Sequence, residues 1–588
     1  MKEKWVVAAK SADFKGIGKR FGIDPVIARV IRNRGLTDLK DIDKYLNGTK
    51  EDLYDPHLLK DAEKGAGIIK EKILQKKKIR IIGDYDIDGV EAAYILLKAL
   101  RRCGALADVV IPDRMKDGYG INAHLIRQAA EDGVDTILTC DNGIAAVEPV
   151  QMAKDAGMTV VVTDHHDIPY EEVNGQIRYI PVNGDAVINP KQEDCPYPFK
   201  GLCGAAVAYK FVQVLYEKMG VDPAQADVFL ENAGFATVGD VMDLQDENRI
   251  LVKIGLEMLN HTKNPGMKAL ILQNGLRPGT LKAYHIGFKI GPCLNASGRL
   301  DTARRSLRLL LCEDELESGK LAAELTALNE ERKDMTAMAV TEAKKVIEEN
   351  GMEGDKVLVV FLPECHESLA GIVAGRLREA YCRPALVITR GEHGAKGSGR
   401  STECYSMFDE LSRCRDLFEN FGGHPMAAGF SLKEENIAPL RKALNENTVM
   451  TGEDLIPKVV IDVPMPVDYI TEELTDQLSL LEPFGKSNEK PVFADRNLLI
   501  RHARVLGKDR NVVRMELESA NHRVIEGVYF GNPDDLRLSV AEKYGMVKAQ
   551  ELMEGKRMDD IRMHMTYYPD KNCYQGFETL QLKISGFC

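Results

Sequence analysis

The chain has no apolar run approaching the ~18 residues of a membrane-spanning helix, and its 12 cysteines form neither a CxxC pair nor a Cys/His cluster at zinc spacing. The first absence excludes a helical membrane span. The second excludes a small zinc module or a disulfide framework, and it predicts reduced thiols in a cytoplasm, nearly all of them small buried hydrophobes. The opening MKEKWVVAAKSADFKG turns polar after a short apolar run, so no signal peptide is expected. A basic surplus is missing too. The net charge of −12 argues against a generic polyanion coat, although a local basic channel for nucleic acid stays open. What is present is the composition of a soluble globular protein, 44% hydrophobic and 29% charged. At 588 residues the chain is too long for one core, and roughly three or four domains are expected.

The stretch KIRIIGDYDIDGVE, Lys78 to Glu91, organises the rest. Ile79, Ile81 and Ile82 read as a strand that breaks at Gly83 into Asp84, Asp86 and Asp88, before a helical pattern beginning near Ala92. Carboxylates crowded at a strand end repel one another unless a cation or a set of donors holds them. A hard divalent metal is the economical explanation. Further strands are expected at Ala107 to Ile111, Thr136 to Thr139 and Thr159 to Thr163. Helices separate them at Ala92 to Arg102, Ala123 to Glu131 and Ala145 to Ala156. That alternation predicts an α/β fold with a parallel, doubly wound sheet. ILTCDNG brings Asp141 to the same sheet edge, and VVVTDHHD brings Asp164, His165 and His166, where ligands of open parallel sheets bind. Helix capping explains Asp141 or Asp164 singly, but not two histidines beside an Asp-x-Asp-x-Asp run.

Residues before this unit read as short amphipathic helices, Pro25 to Arg32, Leu39 to Leu46 and Ala62 to Leu74, packed on the unit that follows. After it, a Pro-rich loop leads to a helix starting at Gly204, and Asp240 follows an apolar helical stretch. GPCLNASGRL reads as a glycine-flanked polar loop carrying Asn295 and Arg299. Leu321 to Glu349 is one long helix, able to bridge two domains. A second alternating unit follows. Its loop RGEHGAKGSGRS carries Lys396, Ser398, Arg400 and Ser401, and its FGGHP segment carries Gly422, Gly423 and His424; exposed backbone N–H groups with cations suit phosphate oxygens. From about Leu455 the texture is β, with a helical insert near Pro533 to Leu552, as in an OB-like barrel. Arg496, Arg501, Arg504, Arg510, Arg514 and Arg523 run along it with Tyr529 and Phe530, a mixture that fits single-strand binding.

In this order GDYDIDG, CDNG, TDHH, NPKQEDCPYPFKGLCGAAVAYK, the Asp240 segment ending in ENR, LNASGR, the long helix with LNEER, HESLAGIVAGRL, KGSGRS, FGGHPMAAGFSL and LEPFGKSNEKPVF resemble the DHH phosphoesterase superfamily, and within it the RecJ family of bacterial single-stranded-DNA exonucleases. The resemblance implies a helical lead-in (1–75), a DHH domain (76–318), a connecting helix (319–350), a smaller DHH-associated α/β domain (351–450) and an OB-like nucleic-acid-binding domain (451–588). It implies a pair of Mn²⁺ or Mg²⁺ ions on Asp86, Asp88, Asp141, His165 and Asp240, with Asp84, Asp164 and His166 in or beside the same shell. Asn295, Arg299, Lys396, Ser398, Arg400, Ser401, Gly422, Gly423 and His424 would hold the substrate strand. The implied activity is processive 5′-to-3′ release of mononucleotides in recombination and repair. The implied setting is a cytoplasmic monomer on single-stranded DNA, with a single-strand-binding protein and a helicase as candidate partners and no membrane.

Four positions depart from the family pattern. Glu91 stands where a small hydroxyl residue is usual, and either starts the following helix or adds an acid close to the metals. Cys293 stands where Arg is common, and CHESLAGIVAGRL has Cys365 and Ser368 in place of Trp and Gly. Two other functions stay open on the sequence: a DHH phosphodiesterase for short oligonucleotides or cyclic dinucleotides, and a weakly active or non-enzymatic replication scaffold.

Overall fold

Alternate residues of the β-branched segments face opposite sides of one sheet, and each side buries its own core. Strands β1 (Lys78–Ile82), β2 (Leu106–Val110), β3 (Thr136–Cys140), β4 (Thr159–Thr163) and β5 (Ala186–Ile188) are all parallel, in the order β2-β1-β3-β4-β5. Ile79, Ile81, Leu138 and Val161 pack into one cluster; Ile82, Ile137, Val160 and Val162 pack into another. This is the two-faced burial expected of parallel strands covered by helices. The computed structural model describes residues 3–114, 116–173, 176–391, 394–507, 510–574 and 577–588. The chain divides into two units. One holds Leu53–Met242 with Leu251–Pro457; the other holds Glu3–Asp52, Asp243–Ile250 and Lys458–Cys588.

In the first unit five helices position the chemistry: α1 (Ile87–Arg102), α2 (Gly204–Met219), α3 (Leu230–Gly239), α4 (Gly291–Leu300) and α5 (Glu315–Glu349). Helix α5 starts earlier than its breaker-free pattern suggested, because Asp314 caps it through the Glu317 N–H. Beyond it, β6 (Leu358–Phe361), β7 (Ala385–Gly391), β8 (Gly394–Arg400), β9 (Asn420–His424) and β10 (Ala427–Leu432) form a mixed sheet in the order β9-β10-β8-β7-β6. Two expected loops are therefore regular structure. LNASGR lies in α4, where Gly298 lets the helix approach the acid loop: a Cβ there would sit 2.2 Å from the Tyr85 carbonyl oxygen. KGSGR is strand β8, paired with β7 and β10, and residues 392–393 of the preceding turn lie outside the described residues.

In the second unit, strands Phe493–Leu506, Val512–Glu518, Val524–Phe530, Phe577–Phe587 and Arg562–Tyr574 close into a barrel, since the first pairs with both the second and the last. The expected N-terminal lead-in splits here. Ala62–Leu74 packs on the parallel sheet, but Pro25–Asn33 and Leu39–Asn47 bury Ile27, Ile31 and Ile42 against Leu478, Phe493 and Ile500, and Lys4–Val7 pairs with Lys458–Ile461. Amphipathicity identified the buried faces of these helices correctly. It carries no information about which distant segment covers them.

Candidate metal centre and its facing wall

The acid loop is shorter than its sequence suggests, because the helix starts at Ile87 and not near Ala92. Asp86 is its N-cap: Oδ1 accepts from the Asp88 and Gly89 N–H groups, both at 3.0 Å. Asp88 therefore lies in the first turn and is fully buried. Its two oxygens accept the N–H groups of Gly204 and Ala205 at 2.6 and 2.7 Å, so the carboxylate sits on the positive end of α2. The α2 terminus has to come this close: a Cβ on Gly204 would lie 2.7 Å from Asp141 Cβ. Asp84, at the end of β1, is buried and holds the Gly120 N–H at 3.4 Å, while its Oδ2 has no partner.

Asp141 follows β3 in a left-handed backbone conformation, φ +61°. Its side chain is buried and its Oδ1 accepts no hydrogen bond, although His165 Nε2 lies 3.0 Å away. The same nitrogen is 3.5 Å from Asp88 Oδ2 and 3.8 Å from Asp240 Oδ2, and the other ring nitrogen of His165 has no partner. Asp240 caps the C-terminus of α3. Potential ligand atoms converge in three groups, each within 4.8 Å: Asp84, Asp86 and Asp141; Asp88, His165 and Asp240; Asp141, His165 and His166. Burial, with Asp86 next in weight, raises the Asp84 pKa well above the ordinary carboxylate range. Burial, then Asp88, does the same to Asp141. Burial also lowers the pKa of His165, favouring the neutral imidazole that a metal needs.

Asp164 differs from its expected place among the ligands. Its Oδ2 accepts from Ile144 N–H at 2.8 Å, and its Oδ1 is used by the N–H groups of His165 and His166 and by His166 Nδ1 at 2.8 Å. Both oxygens are thus engaged by protein donors, three of them from His165 and His166, so Asp164 positions the histidines. Burial alone would raise its pKa, but His166, His165 and the Ile144 N–H together outweigh it and the net shift is downward. Burial alone would lower the His166 pKa; the Asp164 hydrogen bond together with the charges of Asp164, Asp240 and Asp86 outweighs that and raises it to about 9. Glu91 does not join the acids. It is fully buried on α1, and its Oε2 accepts from Asn232 Nδ2 of α3 at 2.6 Å. Cys293 is buried in the helical core, its thiol 3.3 Å from the Lys289 carbonyl.

The facing wall sorts the expected substrate residues. Arg299 donates to the Ser368 carbonyl at 2.9 Å; burial, then Arg114 and Arg332, lowers its pKa to about 10. Arg400 donates to Ser398 Oγ at 2.9 Å, and its pKa is lowered by burial, Arg378 and Arg114. Neither arginine has a carboxylate in hydrogen-bonding contact among the described residues. A cavity of about 440 Å³ is lined by Arg114, Ser368, Lys396, Ser398 and Gly422. Lys396 pairs with Glu367 at 2.8 Å. Exposed His424, on β9 beside Gly423, stands 3.7 Å from Asp167. Ser401 does not belong to this surface: it is fully buried and its hydroxyl donates to the Tyr405 carbonyl. Asn295 uses its Oδ1 on the Ile87 N–H at 2.8 Å, so it braces the acid loop.

Three contributors were missed. Tyr119 donates to the Asp141 carbonyl at 2.9 Å and its hydroxyl is 3.1 Å from His166 Nδ1. Arg114 stacks on Tyr85 at 4.8 Å, and Arg332 reaches the cluster from α5. The glycine-flanked tyrosine of DGYG was the available signal for Tyr119, and LNEER for Arg332; nothing local marks Arg114. In the barrel unit, Arg501 pairs with Glu518, Arg514 with Glu526, and Arg523 caps the carbonyls of Val467 and Ile470. Arg504 and Arg557 line a separate cavity of about 540 Å³ with His502.

Residues 78–231 match the N-terminal domain of the DHH family, 354–449 the DHHA1 domain and 461–586 the RecJ OB domain. The single-stranded-DNA-specific exonuclease RecJ of Bacillus subtilis is 36% identical over 528 residues, covering 89% of this chain and 65% of the relative, so the chain spans about two thirds of that protein's length. RecJ of Escherichia coli is 31% identical over 518 residues, 84% of this chain and 87% of the relative. The crystal structure of RecJ from Thermus thermophilus in complex with Mn²⁺ superposes with a TM-score of 0.80 at 26% identity, covering all of this chain and 79% of that one. No helix among the described residues is long and apolar enough to cross a membrane.

Proposed function

The chain belongs to the RecJ family of single-stranded-DNA-specific exonucleases, and from that premise we propose that it hydrolyses single-stranded DNA from the 5′ end, releasing mononucleotides during recombination and repair. One observation carries the reading. Asp84 Oδ2, Asp141 Oδ1 and His165 Nδ1 are buried without partners at the end of a parallel sheet, opposite arginines that touch no carboxylate. Leaving such atoms unpaired costs about 1–3 kcal/mol each, which a fold sustains where a ligand completes them.

The donor set fits Mn²⁺ or Mg²⁺: carboxylate oxygens for a hard cation, with one neutral imidazole that suits manganese. Asp84, Asp86 and Asp141 would hold one ion and Asp88, His165 and Asp240 the other. Two such ions, when bound, supply a water of lowered pKa and offset the charge of the phosphodiester. The chain's own groups do the rest. Asp164 and Tyr119 hold His166 in its charged form toward the phosphate. Arg299, Arg400 and Arg114 bind non-bridging phosphate oxygens, where burial strengthens each charge-assisted hydrogen bond. Ser398 and His424 flank them. Cytoplasmic residence is supported by the described cysteines being free; a monomer with a single-strand-binding protein and a helicase as partners belongs to the same reading.

The test uses strands labelled at either end, with Mn²⁺, comparing the wild type with Asp141→Asn and His165→Ala. Mononucleotides released first from the 5′ end, and lost in both variants, are expected. Release from the 3′ end, cleavage confined to dinucleotides, or no cleavage overturns the proposal.

A further inference from the structure

Between Glu257 and Asp301 the chain carries no acidic residue. In a protein with a net charge of −12, that segment holds Lys263, Lys268, Arg277, Lys282, Lys289 and Arg299. Two aromatic rings stand within it. Tyr284 and Phe288, one helical turn apart, stack with centroids 4.9 Å apart and planes inclined by 24°. They are 58% and 67% exposed, so the stacked pair is open to solvent. Lys282 and Lys289, both exposed, bracket it in sequence.

The rings are held rigidly. Residues Ile286–Ile290 form a π-helical turn, a widened geometry associated with functional sites. Ile286 and Ile290 are buried in the same cluster as Ile87, the first residue of α1 after the acid loop. The turn continues without a break into α4, where Asn295 braces Ile87 and Arg299 lies within electrostatic reach of Asp86. Phe288 and Arg299 are eleven residues apart (299 − 288), or about 16 Å of helix. That length corresponds to about five stacked nucleotides, fewer if the strand is extended.

Resting on the nuclease reading above, we propose that Tyr284 and Phe288 form a stacking platform for bases of the single strand a few nucleotides beyond the bond being hydrolysed, with Lys282 and Lys289 meeting its phosphates. Ring faces accept any base, so the contact is independent of sequence, as an exonuclease requires. The absence of acids favours a polyanion over a protein partner, and the unbroken helix links the platform to the metal centre. A platform at this distance grips strands long enough to reach it and leaves dinucleotides untouched.

The experiment compares the full chain with a Tyr284→Ala/Phe288→Ala double variant and with Tyr284→Trp, on a long single strand and on a dinucleotide, with Mn²⁺. The double variant is expected to raise KM for the long strand roughly tenfold with kcat held, to leave dinucleotide kinetics alone, and Tyr284→Trp to behave as wild type. An unchanged KM on the long strand, or an equal loss on the dinucleotide, overturns the platform. A second readout needs no turnover: a strand carrying 5-iodouracil, irradiated with the protein in EDTA, should crosslink to Tyr284 or Phe288. Should the wild type cleave neither substrate, the nuclease reading fails by itself; the crosslink then decides the platform, and a crosslink mapping elsewhere refutes it.

Discussion

Glu91→Gln should stabilise the protein, and by an amount that grows with pH. Glu91 is buried on α1, one oxygen bonded to Asn232 and the other without a partner. Burial is the main cause that raises its pKa from 4.5 to about 8; the Asn232 hydrogen bond lowers it, and Glu231 and Asp88 raise it further. The folded state thus holds the proton more tightly than the unfolded chain. Stability is full below pH 4.5, falls as pH rises from there, and levels off above 8, where both states are ionised. At about 1.4 kcal/mol per pKa unit, the loss is below about 1 kcal/mol at pH 5, about 3 at pH 7 and about 5 at pH 9. Glutamine keeps the acceptor for Asn232 and removes the ionisation, and its amide meets the same unpartnered space as the protonated acid. The assay is urea unfolding of wild type and variant at those three pH values, read as the difference in midpoint free energy. A difference that stays constant with pH, or a variant less stable at pH 9, would refute the reasoning.

Arg249→Ala should unfold the barrel unit selectively. The guanidinium is buried, donates to the carbonyls of Tyr45, Leu480, Leu481 and Glu482, and lies 3.8 Å over the Tyr45 ring; orphaning those carbonyls costs roughly 3–5 kcal/mol, visible as an earlier thermal transition. Glu518→Gln should flatten the acid limb of stability. Arg501, then His522, holds the Glu518 pKa down to about 2, so its contribution is present above 4.5 and lost as pH falls toward 2; thermal melts across that window check it. Gly204→Ala should reduce turnover about a hundredfold, because its methyl would displace Asp141, while far-UV circular dichroism stays unchanged. Arg400→Gln should raise KM for single strands roughly tenfold or more through loss of a charge-assisted contact.

The legible parts of this molecule were those with a local signature. Strand-then-acid segments at Asp84, Asp141 and Asp164 announced a parallel sheet and one edge of it, whereas Asp240, a lone acid after an apolar helix, was picked out only by the family resemblance. What the sequence hid was the partner of each group. Ser401 reads like a phosphate-binding serine beside Arg400, yet β8 ends there and the strand's alternation turns its hydroxyl into the core toward Tyr405. Glu91 reads like an acid near metals, but three residues past Asp88 on a helix it faces α3. Arg114 carries no motif, because a long side chain on an unremarkable loop becomes part of a site only through tertiary approach; Arg332 ends the LNEER motif, which marks the helix but not what its guanidinium reaches.

The carboxylates divide by what the backbone does to them. Asp86, Asp88 and Asp164 accept main-chain N–H groups at helix starts or turns. Asp84 and Asp141 are desolvated with an oxygen left open, and their raised pKa values mark a site strained by its own charge. Placing like charges at one sheet edge is unfavourable until cations neutralise them. The fold tolerates that arrangement because the capped acids and Asn295 fix the loop from outside it. Removing such a brace should therefore disturb metal affinity before it disturbs the fold: Asn295→Ala frees the Ile87 N–H and is expected to weaken Mn²⁺ binding by roughly 10- to 100-fold, the range for supporting contacts behind metal ligands. Isothermal titration with Mn²⁺ alone reads this directly, and an unchanged affinity would show that the acid loop holds its shape without α4.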